Sequence, residues 1–177
     1  MNIFSIRILL LSILSTLTIN VFGQKAPEVF KTSFSKEALA QKVITVKGDS
    51  MSIKNVLKKH KGDVVVLDLW AVWCKDCLAV MKDNSELKEK FPKVKFIYLS
   101  LDRSDTAWHK AMEKHDLTKE ENYWFKSGWK NDFNNYIDLN WIPRYMVIDK
   151  KGAISGYYFV HPKEEQFIEL LNTLTKK

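Results

Sequence analysis

Cys74 and Cys77 are the two cysteines of the chain, and they stand three residues apart in the run Trp73-Cys74-Lys75-Asp76-Cys77. Two thiols at that spacing can cycle between dithiol and disulfide, one thiolate attacking a foreign disulfide and the other resolving the mixed disulfide. The run follows a continuous apolar stretch and opens a helix. At such a junction, unpaired backbone N–H groups and the positive end of the helix dipole favour a thiolate. Cys74 falls at the first turn and is assigned the attack. Cys77, a turn further in and more buried, is assigned the resolving step. Lys75 favours the thiolate and Asp76 opposes it, so both are expected to tune the redox balance.

Other uses of the pair fit less well. A structural disulfide closing so short a loop restrains little unfolded-chain entropy. A zinc site needs about four ligands and two cysteines supply half of them. His60, His109, His115 and His161 show no paired spacing. Covalent haem attachment requires histidine directly after Cys77, where Leu78 stands.

Two further residues are informative. Asp68 interrupts the apolar run Val64–Trp70, where a buried carboxylate costs several kcal/mol unless it is neutral or partnered. It either reaches water at a strand end or sits beneath the cysteines with a raised pKa, relaying protons for Cys77. Pro143, in Trp141-Ile142-Pro143-Arg144, precedes another apolar strand. By sequence alone its peptide bond defaults to trans.

The elements that must position these residues can be read from periodicity. Val43–Val46 and Val64–Trp70 read as strands, with a short helix between them capped by Ser50 or Ser52 and carrying Ile53, Val56 and Leu57 inward. A helix from Cys74 to Phe91 stops at Pro92. Val94–Leu101 is another buried strand, and Trp108, Ala111, Met112 and His115 mark an amphipathic helix. The aromatic connection Asp116–Asn140 contains Trp124, Phe125, Trp129, Phe133 and Tyr136, which are expected to pack. Tyr145–Ile148, a Lys151-Gly152 turn and Ala153–Val160 form a hairpin. Phe167, Leu170, Leu171 and Leu174 mark a last helix. Alternating strands and helices predict an α/β fold, a mixed sheet with a parallel centre and an antiparallel C-terminal hairpin.

With 177 residues the chain suits one domain, and 46% apolar residues against six glycines and four prolines exclude collagen-like and low-complexity classes. The net charge of +7 comes from scattered lysines without a nucleic-acid-binding motif, and it is assigned to solubility. Residues 1–23 carry one basic residue, Arg7, then an apolar run to about Val21, the pattern of a signal peptide cleaved before Gln24 or of an N-terminal anchor. Either way the protein is expected outside the cytoplasm, in the periplasm or cell envelope, where disulfide chemistry is permitted. Residues 24–42 form an N-terminal extension and 43–177 the main domain.

The segment Asp68-Leu69-Trp70-Ala71-Val72-Trp73-Cys74-Lys75-Asp76-Cys77 after a buried strand, with Ile142-Pro143 before a later one, resembles the thioredoxin fold. The long stretch between Leu101 and Pro143 and the export signal make the chain most similar to TlpA/ResA-type thiol-disulfide oxidoreductases. The resemblance covers about Val43 to Leu174 and implies a three-layer sandwich. It implies that Cys74 is the nucleophile, that Pro143 is cis and faces the pair, and that Ile142 pairs through its backbone with an extended substrate. Trp73 joins Ile142 and Pro143 as a substrate-binding residue, and Asp68 matches the buried acid of thioredoxin. Two residues depart from the family pattern. Asp76 replaces the proline common there, and Arg144 replaces a small polar residue, which places a positive charge beside the substrate groove.

The expected function is therefore disulfide exchange with partner proteins, as a reductant, with neither cofactor nor bound metal. Its partners are protein substrates carrying disulfides or thiols and an upstream redox protein. Nucleic acid is not among them, and membrane contact requires a retained N-terminal segment. The competing expectation is a metal-binding or assembly module in which the dithiol, completed by a histidine, holds a soft metal such as Cu(I).

Overall fold

The computed structural model describes residues 25–176, so the signal or anchor segment 1–23 lies outside the described residues. Among the described residues the elements run α1 (Lys36–Ala40), β1 (Lys42–Thr45), β2 (Ser50–Ser52), α2 (Ile53–Lys58), β3 (Val65–Trp70), α3 (Lys75–Ala79), α4 (Met81–Lys90), β4 (Lys95–Ser100), α5 (Asp105–Lys114), β5 (Glu121–Trp124), α6 (Asp132–Tyr136), β6 (Arg144–Ile148), β7 (Ile154–Phe159) and α7 (Glu165–Thr175). They build one mixed sheet in the order β2-β1-β5-β4-β3-β6-β7. The β3/β4 and β4/β5 pairs are parallel, and every other pair is antiparallel.

β3 is buried at all six positions, as an unalternating apolar strand covered on both faces must be. As far as Leu69 its side chains divide by parity. Val65, Leu67 and Leu69 join the larger apolar cluster with Ile97, Leu99, Trp108, Phe125 and Phe133. Val64 and Val66 join a second cluster with Leu87 and Phe91 near the end of α4, and with Phe167 and Leu171 of α7. Helices therefore cover both faces of the sheet, and Asp68 shares the parity of Val66, on the α4/α7 side.

Several helix starts follow from local chemistry. The hydroxyls of Ser52 and Ser104 accept hydrogen bonds from the backbone N–H groups of Asn55 and Ala107, capping α2 and α5. The hairpin of β6 and β7 forms as the sequence predicts, with Gly152 at φ +87° in the turn.

Three features differ from the sequence reading. The helix expected over Cys74–Phe91 is two helices broken at Val80, where φ is −96° and ψ 5°. The buried stripe Cys77, Val80, Asn84, Leu87 and Phe91 keeps its period through the break, so periodicity carried no sign of it. The connection Asp116–Asn140 contains β5 and α6. β5 inserts between β1 and β4, and its four residues are too few for alternation to stand out. β1 is antiparallel to both neighbours, because the turn through Gly48, at φ +89°, returns the chain as β2 before α2.

Gly156 in β7 is the glycine under tightest packing. A Cβ built there would lie 2.6 Å from the Phe159 ring, 2.8 Å from Leu170 Cδ2 and 3.0 Å from Val147 Cγ2. Gly156→Ala is expected to lower unfolding free energy by about 1–3 kcal/mol through overpacking. Chemical denaturation checks this, and an unchanged midpoint would show that β7 and α7 separate freely.

Candidate active site

Cys74 is the N-cap of α3, and the Cys77 backbone N–H donates to its Sγ over 3.1 Å. The two cysteines form a disulfide with Cα atoms 5.3 Å apart. Cys74 retains 7% exposure and Cys77 1%, so an incoming group reaches Cys74 first. The helix start is held from below by a second acid. Asp102 Oδ1 accepts the Val72 N–H at 2.9 Å, and its Oδ2 accepts the Ser100 hydroxyl at 2.9 Å. The Cys74 N–H closes the turn onto the Ala71 carbonyl at 3.1 Å. Asp102 is almost wholly buried, and that burial pushes its carboxyl above the ordinary range.

The Ile142–Pro143 peptide bond is cis, and the Ile142 carbonyl oxygen lies 3.5 Å from Cys74 Sγ. Trp73, Cys74, Lys75, Asp76, Ile142, Asn140, Trp129 and Trp141 line a cavity of about 440 Å³. Lys75 and Asp76 are exposed at its edge, and Trp73 is 46% exposed. The sequence-predicted residues Trp73, Cys74, Lys75, Asp76 and Ile142 therefore meet at one opening.

Asp68 lies within the core at 2% exposure, and desolvation pushes its carboxyl up to about 8. The Asn84 amide on α4 donates to Asp68 Oδ2 at 3.0 Å and works against that rise. Asn84 Oδ1 in turn accepts the Tyr145 hydroxyl at 2.8 Å. Asp68 and Tyr145 are register partners across β3 and β6. The result is a buried polar chain from β3 through α4 to β6. The alternative of Asp68 at a strand end in water does not hold. Asn84, Tyr145 and Asp102 escaped the sequence reading, although an asparagine in the buried stripe of α4 and the Ser100-Leu101-Asp102 run after a buried strand were the available signals.

Arg144 requires a correction. Its side chain is fully buried rather than lying beside the groove. It stacks on the Tyr158 ring at 4.0 Å, and it donates to the Ile137 carbonyl at 3.4 Å and to Asn140 Oδ1 at 2.9 Å. Burial lowers its pKa to about 10, which still leaves it charged at neutral pH. Its position at the first residue of β6, opposite Leu69, turns it into the body of the protein. There it braces the segment leading to Pro143. For the soft-metal alternative, among the described residues no cluster of three or more His, Cys, Asp or Glu side chains is placed to hold an ion.

The family model described as thioredoxin-like matches residues 62–154. The thiol-disulfide oxidoreductase ResA of Bacillus thuringiensis subsp. konkukian is 29% identical over 147 residues, covering 82% of this chain and 80% of its own. The thioredoxin-like protein YneN of Bacillus subtilis is 26% identical over 145 residues, covering 77% and 70%. Among solved structures, a Bacteroides vulgatus protein described as a candidate thiol-disulfide oxidoreductase superposes with a TM-score of 0.66 at 26% identity, covering 81% of this chain and 91% of that one. These similarities agree with the resemblance to TlpA/ResA-type proteins.

Because Asp68 keeps its proton in the fold up to about pH 8, whereas an unfolded aspartate loses it near 3.8, the folded state binds the extra proton in that window. The contribution of Asp68 to stability is then fully present at low pH and falls as pH rises toward 8, by up to about 1.4 kcal/mol per unit. In Asp68→Asn the part of this slope that belongs to Asp68 should be lost, while the smaller part that belongs to Asp102 stays. Guanidinium denaturation of both oxidised proteins between pH 4 and 8 measures it, and parallel profiles would rule out a raised carboxyl.

Proposed function

The chain belongs to the thioredoxin-like family, and on that premise we propose that it is a thiol-disulfide oxidoreductase working outside the cytoplasm as a reductant of partner proteins. The observation that carries this reading is the Cys74–Cys77 disulfide, its more accessible sulfur at a helix N-terminus, in contact with the Ile142 carbonyl on the wall of an open groove. Export is supported by the apolar run in residues 1–23.

In the reducing direction the Cys74 thiolate attacks one sulfur of a substrate disulfide, breaking that bond and releasing the first substrate thiolate. Cys77 then gives up its proton and attacks Cys74 Sγ, which releases the second substrate thiolate. Two electrons pass from the protein pair to the substrate, and its two thiolates take up two protons. Asp68 serves as the proton relay for Cys77. A carboxyl poised at about 8 has both forms available near neutrality, the ionised form to accept the thiol proton and the neutral form to return one when the disulfide is reopened. Trp73 and the Ile142–Pro143 segment hold the substrate, the Ile142 backbone pairing with an extended stretch of it. An upstream dithiol protein restores the reduced pair.

The reductant direction is supported by how few groups beside the disulfide sulfur of Cys74 are placed to hold a thiolate once the bond is reduced. One backbone N–H reaches the sulfur, α3 has only five residues, and Lys75 is offset by its neighbour Asp76. A strongly stabilised reduced form is what makes an oxidant, so a weakly held thiolate leaves the pair reducing.

Cys74→Ser is expected to bring insulin-disulfide reduction down to the uncatalysed background, and Cys77→Ser to accumulate mixed disulfides with partner proteins. Equilibration with thiol buffers should give a potential of about −200 to −270 mV. A value near −120 mV would reverse the assigned direction, and activity surviving in Cys74→Ser would end the reading.

A further inference from the structure

Trp129 belongs to the aromatic connection whose side chains were expected to pack, yet it lines the groove at Cys74. Its ring lies 6.2 Å from that of Trp73, with the planes inclined at 43°. The two indoles thus form an open wedge rather than a stack. Phe125 and Phe133 of the same connection are wholly buried, whereas Trp129 is half-buried, packed against the main core on one side and turned to the groove on the other.

The loop that carries Trp129 is built to present it. Gly128 adopts φ +65°, a conformation that favours glycine, and its N–H closes a turn onto the Phe125 carbonyl at 2.8 Å. Two buried asparagines then clasp the turn from inside. Asn134 donates its amide to the Trp129 carbonyl at 2.9 Å and the Gly128 carbonyl at 3.3 Å. Asn131 donates to the Gly128 carbonyl at 3.0 Å while its Oδ1 accepts the Asn134 N–H, capping α6. Burying two amides to hold one turn fixes the backbone beneath Trp129, the arrangement expected of a preorganised binding side chain. Trp73 leaves 46% of its surface exposed beside the reactive sulfur, apolar surface that a bound substrate would take out of water.

We infer that Trp129 and Trp73 together form a specificity wedge that takes a large apolar side chain, aromatic or aliphatic, carried by the substrate polypeptide next to its reacting cysteine. The inference rests on the oxidoreductase reading and adds to it the class of protein substrate. The wedge is continuous with Cys74 through the shared groove, and Ile142 and Trp141 complete its apolar wall. The charged groups at the groove, Lys75 and Asp76, are opposite in sign, so charge gives no preference and apolar contact decides. Substrates with a polar residue at that position lack the contact and are turned over less efficiently.

The test uses the reduced protein and two synthetic disulfide-bonded peptides that differ only in the residue preceding the cysteine, phenylalanine in one and serine in the other. The wild-type protein should favour the phenylalanine peptide by about 10-fold or more in kcat/KM, chiefly through KM. Trp129→Ala should reduce that ratio to within about 3-fold, and Trp129→Phe should restore most of it. A ratio does not depend on the fraction of protein folded, so lost stability cannot imitate the result. Equal rates on the two peptides with wild-type protein, or an unchanged ratio in Trp129→Ala, would overturn the wedge while leaving the oxidoreductase intact. Failure of the wild-type protein to reduce either peptide would instead overturn the oxidoreductase reading.

Discussion

A carboxyl group placed in the middle of a fully buried strand must either stay neutral or find partners, and Asp68 does both. It sits in β3 with its proton retained to about pH 8, and it takes one hydrogen bond from Asn84, which takes another from Tyr145. The three residues stand on β3, α4 and β6. β3 runs directly into the turn that ends at Cys74. α4 continues from the short helix bearing Cys77. β6 begins at the residue after Pro143. The elements that place both sulfurs and the cis-proline segment therefore meet on one polar chain, and a shift in any of them breaks a buried hydrogen bond. In a low-dielectric interior such a break is costly, which makes the register of these elements stringent.

The same device recurs around the groove at smaller scale. Asp102 holds the Val72 N–H, Arg144 holds the Ile137 carbonyl and Asn140, and Asn131 with Asn134 holds the turn under Trp129. In each case a buried polar side chain reaches out to the backbone or side chain of a loop. Loops that would otherwise sample many conformations are tied to the sheet at their functional positions, and the substrate meets a surface whose shape is already set. Apolar packing alone would not achieve this, because it is non-directional and specifies volume better than the orientation of a single carbonyl.

That division also explains what could be read in advance. The apolar periodicities gave β3, β4, the β6–β7 hairpin, α5 and α7, since each follows from a one-dimensional pattern of burial. Cys74, Cys77 and Asp68 were legible because their side chains are chemically out of place in their surroundings. β5 and α6 were hidden in Asp116–Asn140, where short elements and dense aromatics leave no clear period. Arg144 misled because position along the chain placed it next to Pro143, whereas strand parity and the Tyr158 ring decide where its guanidinium goes. Asn84 and Tyr145 depend on contacts between residues far apart in sequence, which a single sequence has no pattern to pair, whereas the asparagine clasp is local but built of residues that read equally well as ordinary loop and cap positions.

Residues 25–34 are drawn into the same arrangement. Thr32 accepts the Ile154 N–H through its carbonyl at 2.9 Å, Ser33 accepts the Tyr136 hydroxyl at 2.7 Å, and Lys31 pairs with Asp138, which also accepts from Tyr157 at 3.0 Å. At their near end the Lys25 carbonyl accepts the Asn140 amide at 2.6 Å. Asn140 is the side chain whose oxygen Arg144 holds, and it also forms part of the groove wall. One asparagine thus connects this N-terminal segment, the buried arginine and the opening beside Cys74. Residues 25–34 act as a strap across α6 and β7, and the groove owes part of its shape to a segment at least 40 positions before the cysteines in the chain.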